Sequence, residues 1–137
     1  MEELVEEMMS STSLLLRRLR AEGNPAELSS SQSAALGRLA RGGAATTADL
    51  ARAEGIKPQS MGATMAALER DGLVARTPHP SDGRQALYDL TPLGRETRAR
   101  QRLVKREWLA TAMAGLEAEE KAALLVALKT IRKLAGA

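Results

Sequence analysis

The chain has 137 residues with 20 basic and 17 acidic side chains, one His, no Cys, one Trp, one Tyr and no Phe, while hydrophobic residues make up 44% of it. That length makes about one ordinary domain with an aliphatic core; the missing thiols exclude disulfides, thiolate metal sites and cysteine-based oxidant sensing, and a lone His79 excludes a histidine-rich metal site. Two aromatics are too few to stack the bases of single-stranded nucleic acid.

Charge is unevenly spread. Residues 1–37 carry 3 basic and 6 acidic side chains, residues 38–106 carry 13 and 7, and residues 107–137 carry 4 and 4. A basic centre between acidic or neutral ends points to a polyanionic partner for the centre and another task for the ends. The opening "MEELVEEMM" is acidic where a secretory signal would be basic, and no apolar run approaches the roughly 18 residues of a membrane span, so a cytoplasmic protein with no membrane partner is expected.

In chain order, Leu4, Val5, Met8, Thr12, Leu15, Leu16 and Leu19 recur at steps of three and four, the mark of an amphipathic helix, until "EGNP" breaks it. Ser29 with Gln32 forms a capping-box pattern for a helix from Ser30 to about Arg41, with Ala35, Leu36 and Leu39 on its core face and "GG" as its stop. Thr46 with Asp49 caps a short helix "TADLARAE", which Gly55 ends. Pro58 suits a first helical turn, and "QSMGATMAALERD" runs on to Gly72.

Two short helices joined by a tight Gly turn are a helix-turn-helix signature. Ala51 is small where they would cross, and Met61 and Leu68 lean inward. Lys57, Gln59, Ser60, Ala63 and Thr64 are left on the outer face, at the end that enters a major groove in such motifs.

"LVART" and "QALYDLT" read as strands, with Leu87 and Leu90 among their apolar residues, and "PHPSDGR" as the turn between them. This hairpin is a wing, able to set Arg84 against a minor groove or a phosphate, with Asp82 as the carboxylate that orients the arginine and shapes the loop. His79 reads as a loop residue. Thr91 caps a long helix from Pro92, with Leu93, Thr97, Val104, Trp108 and Met113 along one side. The arginines between Arg95 and Arg106 read mostly as a solvated face with partners such as Glu96, with Arg95, nearest the wing, as the exception. Trp108 is expected to pack in the core or a dimer. In the last helix, Leu124, Leu125, Leu128, Ile131 and Leu134 form a stripe too rich to be left in water.

The run "DLARAEGIKPQSMGATMAALERDGLVARTPHPSDGRQALYDLTPLGRE" closely resembles the winged-helix core of the MarR family of bacterial transcriptional regulators. The likeness rests on the "LA…G…P…S/T" helix-turn-helix, the "LE..GLV.R" junction, the "D.R" wing and the "LT..G" that begins the next helix. The PadR family shares a "Y.LT..G" ending, but its helix-turn-helix lies near the N-terminus, whereas here some 45 residues precede it.

The resemblance implies a mainly α fold with a small β-hairpin wing: a dimerisation helix in residues 1–28, a winged helix-turn-helix in residues 29–92, and dimerisation helices in residues 93–137, integrated as one domain. It further implies a homodimer on double-stranded DNA with a pseudo-palindromic site, released by a small aromatic or phenolic ligand, with DNA contacts at Gln59, Ser60, Thr64 and the Asp82 to Arg84 loop; the residues themselves add Lys57, on the outer face of the second helix, and Arg95, nearest the wing, as candidate contacts. No cofactor and no catalysis are expected, since the usual nucleophile and base sets are missing. Two alternatives remain open from the residues: a winged-helix module for an acidic protein partner, and a non-specific architectural DNA binder.

Overall fold

The computed structural model describes residues 1–137, in the order α1 (Glu2–Glu22), α2 (Ser30–Gly42), α3 (Thr47–Glu54), α4 (Pro58–Arg70), β1 (Val74–Pro78), β2 (Ala86–Leu90), α5 (Pro92–Ala114) and α6 (Ala118–Leu134). Both sequence-predicted capping boxes form. Ser29 Oγ accepts the Gln32 N–H at 3.1 Å while Gln32 Oε1 accepts the Ser29 N–H at 2.8 Å. Thr46 and Asp49 make the same exchange at 3.1 and 3.2 Å. Each box pairs two amides that the helix's own ladder leaves open. The Asp49 carboxyl is held below its ordinary value, first by the Thr46 backbone N–H and then by the Thr46 hydroxyl, with Arg52 adding a charge 2.6 Å away.

The hydrophobic core is built entirely from α2, α3, α4 and the base of the hairpin. Leu36 and Leu39 of α2, Leu50 and Ala51 of α3, Met61, Met65 and Leu68 of α4, and Val74 and Leu90 of the strands are all buried. Ala51 lets α3 and α4 approach closely. Gly55, at φ +66°, makes the left-handed turn between them, with the Ile56 N–H donating to the Ala51 carbonyl at 3.0 Å and the Gly55 N–H to that of Arg52 at 3.2 Å.

The hairpin is antiparallel, in register from Val74 opposite Leu90 to Pro78 opposite Ala86. Ala45, between α2 and α3, exchanges both backbone hydrogen bonds with Tyr88, at 2.9 and 3.0 Å, and so pins the base of the wing. Thr91 Oγ accepts the Gly94 N–H at 3.1 Å and donates to the Gly72 carbonyl at 2.5 Å, which ties the start of α5 to the end of α4. Gly94 is required there, because a Cβ would lie 2.0 Å from the Leu73 carbonyl oxygen.

The inner face of α5 departs from the expected apolar stripe. Thr97, Val104 and Trp108 are half-buried, but Leu93 is 50% exposed, and the buried residues of the helix are Gly94 and Gln101. Gln101 donates to Ser33 Oγ at 3.1 Å and to Asn24 Oδ1 at 3.3 Å, so a polar side chain joins α5 to α2 and to the loop after α1. The helix turns a polar row of Arg98, Gln101 and Lys105 inward, because its partners there are loop and helix polar groups rather than aliphatic side chains. α1 packs on α5, with the Arg18 guanidinium 5.5 Å from the centre of the Trp108 ring. Neither α1 nor α6 buries a residue, and no helix is long and apolar enough to cross a membrane.

Candidate nucleic-acid interface

α4 presents its N-terminal turn openly. Lys57 precedes Pro58, no side chain caps the first amides, and the turn carries no acid. Such an end is electropositive and has unpaired N–H groups, a good seat for a phosphate. Lys57, Gln59, Ser60 and Ala63 are exposed, because the opposite face of α4 is occupied by Met61, Met65 and Leu68 in the core. Thr64 is half-buried and donates its hydroxyl to the Ser60 carbonyl at 3.2 Å. Its methyl and hydroxyl therefore keep a set direction beside Ser60.

The wing tip is organised by two side chains. His79 Nδ1 accepts the backbone N–H groups of Ser81 and Asp82, both at 3.1 Å, which requires that nitrogen to be unprotonated. Asp82 Oδ1 accepts the Arg84 N–H at 3.1 Å, and Oδ2 accepts from Gln85 Nε2 at 3.2 Å. Asp82 therefore shapes the loop through the Arg84 backbone, and the Arg84 guanidinium pairs with no carboxylate. An exposed, unpaired arginine on a short buttressed loop is free to take an anion.

Arg95 is placed differently from the other candidates. It donates to the Leu90 carbonyl at 2.8 Å and lies 3.8 Å from Asp89, so its guanidinium is folded against the base of the hairpin rather than its tip. Arg100 pairs with Glu96 at 3.5 Å, as a solvated helix face requires. Arg98 does not: it is half-buried, its Nε has no hydrogen-bond partner, and burial first, then Arg41 and Arg102, push its guanidinium below its ordinary value. Neither Arg98 nor Arg41 stands out in the sequence; the one signal is Gly37, whose missing side chain leaves room for both guanidiniums.

A helix-turn-helix followed directly by a hairpin braced at its base defines a winged-helix protein. The sequence pattern of the MarR family matches residues 26–85. An uncharacterised HTH-type transcriptional regulator of Mycobacterium bovis is 40% identical over 107 residues, which are 78% of this chain and 75% of that protein. The chain belongs to the MarR family of transcriptional regulators, a non-enzymatic family with a DNA-binding winged-helix fold.

Solved structures agree on the architecture. A Pseudomonas aeruginosa protein assigned as a transcriptional regulator is 32% identical with a TM-score of 0.82, over 98% of this chain and 94% of that one. A point mutant of S. aureus MepR, solved bound to an oligodeoxyribonucleotide, shares the fold at 19% identity with a TM-score of 0.71, over 97% of this chain and 96% of that one.

Proposed function

We propose that this protein is a homodimeric repressor that binds a pseudo-palindromic site in double-stranded DNA and is released by a small-molecule ligand. The unpaired Arg84 guanidinium, held out on a braced wing, is the observation that carries it. Lys57 and Arg84 supply phosphate or minor-groove contacts, while Gln59, Ser60 and Thr64 read base edges from α4. Asp82 acts by shaping the loop under Arg84, and Arg95 contributes at the wing base if DNA draws it from Asp89. The exposed apolar stripes of α1 and α6 support self-association, and a two-fold dimer sets half-sites about one helical turn apart. The MepR complex supports DNA as the partner of this fold. A ligand seated between the terminal helices and the winged helix would alter the angle between the two halves; an aromatic or phenolic compound is the first class to screen.

The test is binding of the purified protein to its own upstream duplex and to a scrambled duplex across a salt series. The upstream duplex should win by at least about a thousandfold. Arg84→Ala should weaken both duplexes and lower the salt slope by about one charge per protomer. Gln59→Ala should instead lose about 1–3 kcal/mol on the upstream duplex alone. Equal affinity for both duplexes would replace specific regulation with architectural binding, and no binding to either would turn the wing toward a protein partner.

A further inference from the structure

The outward face of α4 is poor in hydrogen-bond donors. Between Pro58 and Glu69 the helix carries no arginine and no lysine. With Met61, Met65 and Leu68 buried, the row turned away from the core is Gln59, Ala63 and Ala66, all exposed, followed by Arg70 in the last turn. Arg70 stands about 16 Å along the axis from Gln59, beyond the N-terminal residues that reach base edges in such a motif. Lys57 precedes the helix, beside the open amides of its first turn, where a phosphate is the matching group. Thr64 flanks the row. Its hydroxyl hydrogen is committed to the Ser60 carbonyl at 3.2 Å, so toward a base it offers acceptor lone pairs and a methyl group, and no donor.

Each base pair shows the major groove a different set of groups. Guanine presents the acceptors N7 and O6 and is matched by a cationic donor; adenine sets an amino donor beside an acceptor and is matched by the amide of Gln; thymine adds a methyl that suits Ala or the methyl of Thr. α4 holds the second and third of these partners and lacks the first. Gln59 is the side chain of the outward row that can donate and accept at once, while Ser60 fits either kind of pair. The small side chains of Ala63 and Ala66 let the helix lie close to projecting thymine methyls. The wing favours the same pairs, because an unpaired Arg84 entering a minor groove is held best where the groove is narrow and most negative, as in A·T tracts.

We propose, resting on the regulator reading of α4, that the half-site bound by each protomer is A·T-rich, with adenine opposite Gln59, thymine methyls against Ala63, Ala66 and Thr64, and no guanine read by this helix. Specificity then comes from one amide and several methyl groups, and the arginines of the chain serve phosphates and the minor groove.

The experiment is selection of bound duplexes from a random-sequence library by the full chain, followed by sequencing, with a Gln59→Arg variant selected in parallel. Gln59 is exposed, so the variant keeps the fold. The pair that changes between the two selections marks the segment under α4. In wild type that pair and its neighbours on either side should be A·T; in Gln59→Arg it should become G·C, since arginine supplies the missing forked donor. Between two duplexes differing only at that pair, the preference should reverse by at least about tenfold. A wild-type choice of G·C at that pair or beside it, or the same selected sequence with both proteins, overturns the proposal and leaves a specific regulator standing. Enrichment of no sequence by wild type overturns the regulator reading, and the proposal with it.

Discussion

The winged-helix unit and the terminal helices are built from equally regular apolar patterns and meet different fates within one chain. In α2, α3 and α4 the pattern is buried to completion, with Leu36, Met61, Met65 and Leu68 at 0% exposure. In α6, at the same helical spacing, Leu125 is 61% exposed and Leu128 44%. Periodicity reports that a face needs covering, not which molecule covers it. The unit with its own partners makes a core; the helices without them stay exposed in the single chain, as the proposed dimer requires.

Substitutions can break this contrast. Leu68→Ala should have the largest effect, destabilising the protein by about 2–5 kcal/mol in urea unfolding, since a buried leucine is replaced by a cavity. Were the loss much below 1 kcal/mol, the unit would not be the independent core described. In α6 the reverse is expected: Leu128→Asp with Ile131→Asp should leave the fold of the winged helix intact by circular dichroism but reduce the sedimenting mass to that of a monomer. A dimer that persists would move the association surface elsewhere.

Gly94→Ala tests the seam between the two regions. Its Cβ would meet the Leu73 carbonyl oxygen at 2.0 Å, so α5 must shift, with a cost of about 1–3 kcal/mol. The smallest effect belongs to the α3 cap. Thr46→Ala should lose about 1 kcal/mol. Asp49→Asn sharpens this through pH: the folded carboxyl lies below the ordinary value of 3.8, so its contribution is present above that value and is lost as pH falls through the folded one. Wild type and variant should therefore converge in acid; a difference that persists at low pH would assign the effect to the hydrogen bonds alone.

What was legible in the sequence was local. The Ser29 and Thr46 caps, the Gly55 turn and the two strands of the hairpin each depend on residues a few positions apart, and local pattern alone finds them, though Pro78, read as part of the turn, ends β1. The MarR resemblance rests on residues 49–96, which hold the Gly55 turn and the hairpin. Gln101 was not legible, because Ser33 and Asn24 lie 68 and 77 positions away and an apolar count passes over a polar contact face. The Arg41 and Arg98 cluster was hidden for a related reason: the basic centre was evident in composition, but only the packing of α2 on α5 decides which arginines face solvent and which face each other. Asp82 was placed in the right loop, and its partner proved to be the Arg84 backbone rather than its guanidinium.

The bridge from Ala45 to Tyr88 has a bearing on solubility. A two-stranded hairpin exposes two rows of open backbone groups, and an open strand edge invites pairing with another chain. Here Ala45 occupies the outer edge of β2 near its base, while β1 ends in Pro78, which has no N–H to offer, and carries Arg76, tied to Glu69 at 3.2 Å. Each edge is blunted by a different device. The finger can therefore project into solvent, or into a groove, without becoming a template on which a second copy extends the sheet.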